Sequence, residues 1–338
     1  MSKKLVLVTG ITGFIGAHVA KQLLQAGYHV RGTVRSMEKA NELVRLNPDF
    51  KDEVEFVIVK DIVDPNAFED AIKNVDYVCH VASPFFVDNI TDNKTQLLDP
   101  AVKGTLSVLE AAHGEKSVKR IVITSSFAAI INLEIDVNSG KVYTEKDWNP
   151  ITYEQGISTK DGTFAYCASK TCAERAARDY VAQKHPSFDI CTVNPPYVFG
   201  PPIQPMKNMD SLNTSNLVIW SLINGSKANP SPYYYYVDVR DLAAAHVLAL
   251  ENKKLSNGRM IACKGLFTSE EICSTLRNHF PDKQQVISKP EKASINPGFM
   301  VLDGSYSRSI GLKYRSDEEC FVDTAKKLWE RAEEFQKN

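Results

Sequence analysis

The 338-residue chain has no excess of charge of either sign: 40 Lys and Arg stand against 41 Asp and Glu, a formal net charge of −1. Without a basic field nothing holds a polyanion along its contour, so neither nucleic acid nor an anionic membrane surface is an expected partner. The chain also lacks any apolar run of bilayer length, and its first residues do not follow the basic-then-apolar layout of a secretory leader, so a cytosolic protein is expected. Its seven cysteines, Cys79, Cys167, Cys172, Cys191, Cys263, Cys273 and Cys320, are an odd number among apolar neighbours. Their spacing excludes a disulfide framework and contains no zinc or redox-dithiol pattern, so reduced, mostly buried thiols and no metal are expected. There is no internal repeat and no low-complexity tract.

What is present is a βα alternation, written most clearly at the start. Leu5-Val6-Leu7-Val8 is a continuous apolar run, as a strand covered on both faces requires. Gly10, Gly13 and Gly16 follow at once, spaced by three, and an apolar-periodic helix (Phe14, Ile15, Val19, Leu23, Leu24) leads to a second strand ending at Val34. In a strand–turn–helix context such glycines permit a tight turn, backbone approach to a pyrophosphate and close packing of helix on sheet, with the helix dipole favouring the anion. Three glycines alone also mark ordinary loops; the flanking strand and helix decide for a dinucleotide site.

The end of the second strand lacks the Asp or Glu that would accept the ribose hydroxyls of NAD. Arg35 stands there, with Lys39 four residues on, and two cations suit a 2′-phosphate, so NADPH is the expected cofactor. The competing reading makes them solvated helix-start charges.

A helix over Met37–Leu46 leads to a third strand, Val54–Val59, whose carboxyl end carries Asp61 and Ile62, positioned to meet the adenine. Asp61 could equally cap a following helix, although Asp64 before Pro65 is the better N-cap. The next strand, Val75–His80, opens into Val81 and Ala82, small enough for close cofactor approach, and then Phe85 and Phe86. His80 reads as a core histidine. Another strand, Arg120–Thr124, ends in Ser125-Ser126, with the hydroxyls expected to face the cofactor. A polar connection from Asn132 to Gly162 reads as loop or lid.

Tyr166 and Lys170 then lie four apart on one helical face. Carbonyl reduction needs a proton donor at the forming alkoxide, and a phenol with an ordinary pKa of about 10 is reluctant. A neighbouring ammonium is expected to lower that pKa and hold the nicotinamide ribose, while a serine hydroxyl bonds the carbonyl oxygen. Beyond the strand Ile190–Val193, Pro195 and Pro196 redirect the chain into a second lobe. An apolar helix follows over Leu217–Ile223, and Tyr233–Val237 reads as a strand returning to the main sheet. Met260–Ala262 is a last strand, Thr268 to Glu271 caps a helix, residues 281–304 read as loop, and Asp317–Phe335 is a closing amphipathic helix.

With the glycine turn, Ser126 and the Tyr166/Lys170 pair in view, the chain resembles an extended short-chain dehydrogenase/reductase over nearly its whole length. Within that family it is similar to the branch of dihydroflavonol and cinnamoyl-CoA reductases and of fungal methylglyoxal and aldehyde reductases. The likeness is carried by Thr33-Val34-Arg35-Ser36 with Lys39, Ala82-Ser83-Pro84-Phe85, Thr124-Ser125-Ser126, Trp148-Asn149-Pro150, Ala165-Tyr166-Cys167, Asn194-Pro195, Tyr197-Val198-Phe199-Gly200-Pro201 and Val237-Asp238-Val239-Arg240-Asp241. The resemblance implies Ser126 as carbonyl polariser, Tyr166 as proton donor and Lys170 as ribose anchor. It implies a cofactor set of Gly10, Thr12, Gly13, Phe14, Ile15, Gly16, Arg35, Lys39, Asp61, Ile62, Val81, Ala82, Thr124, Pro195, Val198 and Ser215. Ile131, with Asn132 one place later, departs from plant flavonoid reductases and argues against a dihydroflavonol substrate.

The expected fold is α/β, a Rossmann-type doubly wound parallel sheet with a smaller C-terminal substrate-binding lobe. Residues 1–194, completed by 233–262, would hold NADP, and 195–232 with 263–338 the substrate. The expected activity is NADPH-dependent, reversible reduction of an aldehyde or ketone, by a monomer or homodimer. Phe85, Phe86, Phe127 and Tyr197 would wall an apolar pocket for a hydrophobic small-molecule carbonyl. The rivals are a sugar-nucleotide epimerase or dehydratase, which usually retains NAD, and a non-catalytic NADP-sensing module, which would lack the tyrosine or lysine.

Overall fold

A computed structural model describes residues 3–83, 90–226, 231, 233–289 and 292–337. Seven strands form one parallel sheet in the order β10-β7-β5-β4-β1-β2-β3. In chain order its elements begin β1 (Leu5–Thr9), α1 (Phe14–Gln25), β2 (His29–Val34), α2 (Met37–Leu46), β3 (Val54–Ile58), β4 (Tyr77–His80), α3 (Asp99–Gly114) and β5 (Arg120–Thr124). They continue through β6 (Val142–Tyr143), α4 (Tyr153–Ser158), α5 (Gly162–Lys184), β7 (Asp189–Asn194), β8 (Tyr197–Phe199), α6 (Thr214–Ile223), β9 (Tyr233–Asp238), α7 (Val239–Glu251) and β10 (Arg259–Ile261). The chain closes with β11 (Gly265–Thr268), α8 (Ser269–His279), β12 (Val301–Leu302), α9 (Ser305–Ser309) and α10 (Asp317–Lys337).

The continuous apolar strands are explained by helices on both faces. Val6 and Val8 join the core under α1 and α7, while Leu7 between them joins the core under α3 and α5. The pleat sends successive residues to opposite layers, so β1 is apolar on both sides. Among the described residues no helix is long and apolar enough to cross a membrane. All seven cysteines are free, and six are buried.

Four sequence expectations fail here. Residues 62–74 form turns rather than a helix, and Asp64 accepts from the Asn66 N–H at 2.9 Å, closing a local Asx turn in place of a cap. The connection from Asn132 to Gly162 contains α4, opened by a Thr152/Gln155 capping box, and β6, which pairs in parallel with β12 across a long sequence gap. The pairing also gives the 281–304 segment a strand partner that no local pattern announces. The tyrosine strand β9 is the middle of a separate three-stranded sheet, β11-β9-β8, and does not return to the large one. Its partners bury Tyr234 and Tyr236 to 3% and 1% exposure, against α6, α8 and α10.

Hydroxyls at the carboxyl edge of the large sheet set the loops that leave it. Thr9 Oγ1 accepts from the N–H groups of Val81 and Ala82, each at 3.0 Å, and its proton is directed to His80 Nδ1 at 3.0 Å. The Gly10 N–H donates to Thr33 Oγ1 at 3.0 Å. Gly10 takes φ +66°, and a Cβ on Gly16 would stand 2.4 Å from the Gly10 carbonyl oxygen. Backbone cannot give way there, so Gly16→Ala is expected to lower the urea midpoint by the equivalent of about 1–3 kcal/mol. An unchanged midpoint would show that α1 shifts freely against the turn.

Candidate active site

The strand order reverses between β1 and β4, and in open α/β sheets ligands bind outside the carboxyl ends at that switch point. A cavity of about 740 Å³ opens there. It is lined by the turn residues Gly10, Thr12, Gly13, Phe14, Ile15 and Gly16, by Arg35 and Lys39, by Asp61 and Ile62, and by Val81 and Ala82. Thr124, Ser126, Tyr166, Lys170, Pro195, Val198 and Ser215 line its remainder. Six loops of the parallel sheet and the start of α6 therefore meet at one opening.

The glycine turn has the features an anion requires. Gly13 is the N-cap of α1, with no side-chain cap, and the first turn holds no acidic residue. The helix-end N–H groups and dipole are thus left to whatever fills the cavity. Arg35 and Lys39 are exposed and take part in no ion pair among the described residues. Lys60 adds a third cation to the same stretch of wall, a residue the sequence reading passed over although it precedes Asp61 directly. These residues fit a phosphorylated dinucleotide: an uncapped helix end for a pyrophosphate, cations for a further phosphate.

Along the sheet, Ser126 follows β5 and Arg35 follows β2, three inter-strand steps apart, roughly 14 Å. At the β5 end, Ser126 has extended backbone and its Oγ accepts from the Ala128 N–H at 3.1 Å. That bond leaves the hydroxyl proton free to be given, and the Ser126 hydroxyl is hydrogen-bonded to the Tyr166 phenol. α5 is started by Asp161, which accepts from the N–H groups of Thr163 and Phe164 at 2.8 and 3.0 Å. It carries Tyr166 and Lys170 on one face, with the Lys170 ammonium 6.0 Å from the tyrosine ring centroid. Lys170 is 9% exposed and donates to Ser83 Oγ at 3.1 Å.

The charge balance of this pair differs from the expectation that lysine lowers the tyrosine's pKa. Burial pushes the Tyr166 phenol up, and the hydrogen bond from Ser126 only partly opposes it. Burial also brings the Lys170 ammonium down to about 8. Desolvation is the largest cause for both groups, and it favours the neutral form of each.

Other expected residues turn elsewhere. The Ser125 hydroxyl, expected to face the cofactor, donates inward to Glu174 Oε2 at 2.6 Å. Thr124 lines the cavity, but its hydroxyl lies 2.7 Å from His246 Nε2. Because His246 Nδ1 is bonded to the Leu242 carbonyl at 2.8 Å, Nε2 is the acceptor. Phe85 and Phe86 lie outside the described residues. Phe127 does not line the cavity: its ring packs edge-on against Tyr143 at 5.9 Å, beside Ile130 and Leu302. Tyr197 does not line it either, because Val198 does and the β pleat sends its neighbour to the opposite face, against Tyr234 at 4.9 Å. Tyr197 nevertheless lies near enough to the Tyr166 phenol to help raise its pKa. Ser83, Gln96, Pro100, Asn213 and Thr214 line the cavity without having been anticipated. Ser83 was readable as a neighbour of Ala82; the others reach the cavity only through the tertiary fold.

The same architecture recurs in known proteins. An uncharacterised oxidoreductase of Schizosaccharomyces pombe is 69% identical over 335 residues, covering 99% of this chain and all of that one. The NADPH-dependent methylglyoxal reductase of Saccharomyces cerevisiae is 36% identical over 340 residues, covering 96% and 97%. The crystal structure of a yeast methylglyoxal/isovaleraldehyde reductase complexed with NADPH superposes with a TM-score of 0.87 at 32% identity, covering 96% and 98% of the two chains. The profile of the NAD dependent epimerase/dehydratase family matches residues 6–263, where the glycine turn, Ser126, Tyr166 and Lys170 all lie. The chain accordingly belongs to that family, the extended short-chain dehydrogenase/reductases.

Proposed function

We propose that this protein is an NADPH-dependent carbonyl reductase, which converts an aldehyde or ketone to an alcohol and can run the reverse oxidation. The observation that carries the reading is the meeting of Ser126, Tyr166 and Lys170 at one part of a cavity whose other part holds an uncapped helix end with Arg35 and Lys39, which form no ion pair among the described residues. Fungal relatives named as NADPH-dependent methylglyoxal reductases support it. When bound, NADPH supplies the hydride for the carbonyl carbon.

Each residue then has a definite task. Backbone N–H groups of the Gly10–Gly16 turn hold the pyrophosphate, and Arg35 and Lys39 the 2′-phosphate. The Ser126 hydroxyl, oriented by Ala128, donates to the carbonyl oxygen and stabilises the negative charge that grows there. Tyr166 gives its phenolic proton to that oxygen. Its raised pKa keeps the proton in place at neutral pH, and an alkoxide is basic enough to take it. Lys170 holds the ribose through its ammonium.

If Tyr166 is the donor, Tyr166→Phe should lose kcat by on the order of 10²-fold or more while NADPH still binds, as read by steady-state rates and fluorescence titration. Near-normal turnover would remove Tyr166 from the mechanism.

For the cofactor, Arg35→Ala should reduce the NADPH-to-NADH ratio of kcat/KM by about 10-fold or more, since a charged hydrogen bond contributes about 1.5–3 kcal/mol. Equal kcat/KM for the two cofactors in the wild type would refute the preference.

Lys170 is held at a cost. Its folded pKa of about 8 lies below its ordinary 10.5, so the penalty is complete below pH 8 and is relieved as pH rises through 10.5. Without cofactor, Lys170→Met is expected to be more stable than wild type at pH 7, by up to roughly 3 kcal/mol less the lost Ser83 bond. The gap should close towards pH 10.5. A variant no more stable at pH 7 would show that the ammonium is not desolvated.

A further inference from the structure

Behind Ser126 lies a carboxylate that the reaction so far leaves without a task. Glu174 continues the four-residue step of Tyr166 and Lys170 along α5, making a third member of one helical stripe. Its side chain is fully enclosed, at 0% exposure. Oε2 accepts from the Ser125 hydroxyl at 2.6 Å and from Asn194 Nδ2 at 2.9 Å, with Arg259 Nη2 more distant at 3.4 Å. Oε1 accepts from Arg259 Nε at 2.7 Å, Thr192 Oγ1 at 2.9 Å and Arg178 Nη2 at 3.4 Å. The same Asn194 Nδ2 also donates to the Ser126 carbonyl at 3.1 Å.

The two oxygens divide their work. Oε1 is tied to the body of the protein, through Arg259 on β10 and Thr192 on β7. Oε2 reaches the site: the hydroxyl of the residue before Ser126 and the amide that grips the carbonyl of Ser126 itself both converge on it. The Phe127 N–H donates to the Pro195 carbonyl at 2.9 Å, fixing the far side of the same peptide. Burial pushes the Glu174 carboxyl up, but Arg259 and Arg178 outweigh it and hold the group below the ordinary carboxylate range. A buried ion pair contributes little stability over a well-packed apolar replacement. Its value here lies in geometry, because catalytic groups must be held to within about 0.5 Å and a 1 Å displacement can reduce rate about 10²-fold.

We propose that Glu174 is a positioning residue which, through Ser125 and Asn194, sets the direction in which the Ser126 hydroxyl is presented to Tyr166 and to a bound carbonyl oxygen. The inference rests on the assignment of Ser126 and Tyr166 to the reduction. Glu174 touches neither cofactor nor substrate and acts only through the peptide units around Ser126.

Ser125→Ala and Asn194→Ala each cut one link while leaving the Glu174–Arg259 pair to hold the fold, and Glu174→Gln alters both links at once. Each variant, with Tyr166→Phe alongside, would be measured for kcat on a panel of aldehydes and ketones, NADPH affinity by fluorescence, unfolding midpoint, and the isotope effect with 4-deuterated NADPH. The expected result for the two single-link variants is a kcat loss of about 10-fold or more, a larger isotope effect, and NADPH affinity within about two-fold of wild type. Unchanged kcat in both, or a rate loss matched by lost NADPH binding, would overturn the inference even if Glu174→Gln failed to fold. Full turnover by Tyr166→Phe would instead overturn the catalytic assignment beneath it. Loss in Tyr166→Phe with wild-type behaviour in both link variants would remove Glu174 alone.

Discussion

Seven strands running parallel impose one condition on everything else: every connection must cross back over a face of the sheet, so every strand ends at the same edge. The covering helices bury apolar residues on both sides of the strands, and the hydroxyls that line the cavity stand at the strand ends. Thr9, Thr33, Thr124, Ser125 and Ser126 all stand at that edge. Thr9 and Thr33 are used to stitch loops to neighbouring strands, and the β1/β4 reversal leaves a gap between those loops wide enough for a ligand.

Within that edge, α5 concentrates the ionisable groups. Tyr166, Lys170 and Glu174 lie along one stripe, and all are drawn out of water to different effect. The tyrosine is kept protonated, the lysine has its charge destabilised, and the glutamate keeps its charge because two guanidinium groups face it. A helix of 23 residues, capped by Asp161 and packed on α3, can hold such groups at fixed spacing against a sheet, where a loop could not. The surrounding segment is braced in the same way, with the Arg259 guanidinium 4.0 Å from the Trp148 ring centroid and bonded to the Glu145 carbonyl at 3.0 Å.

The smaller sheet completes the cavity from the other side. Pro195 and Pro196 carry the chain out of β7, β8 places Val198 on the cavity, and α6 begins at Thr214 and Ser215 in its wall. Ser215 Oγ accepts from the Val198 N–H at 3.2 Å, so strand and helix approach as a unit. That unit rests on a core of Phe199, Tyr234, Tyr236 and Phe321, which shares no residue with the cores on either face of the large sheet.

Local pattern was sufficient for the strand–glycine–helix start, for α2 and α10, for the capping box at Thr268, and for the Tyr166/Lys170 spacing. Each is encoded within a few residues, by periodicity or by backbone requirements that only certain side chains meet. Residues placed by loop position along one sheet edge, such as Arg35, Asp61 and Val81, were also legible, because the parallel topology itself was. Long-range pairing decided the rest. Nothing in Val142-Tyr143 announces Val301-Leu302 as its partner, and nothing in a run of tyrosines says which sheet it joins. Phe127 and Tyr197 follow strand ends, but the partners of their rings, Tyr143 and Tyr234, come from segments distant in sequence. The inward turn of Ser125 to Glu174 was likewise invisible, since hydrogen-bond direction depends on which buried group lies opposite, and only folding brings those groups together.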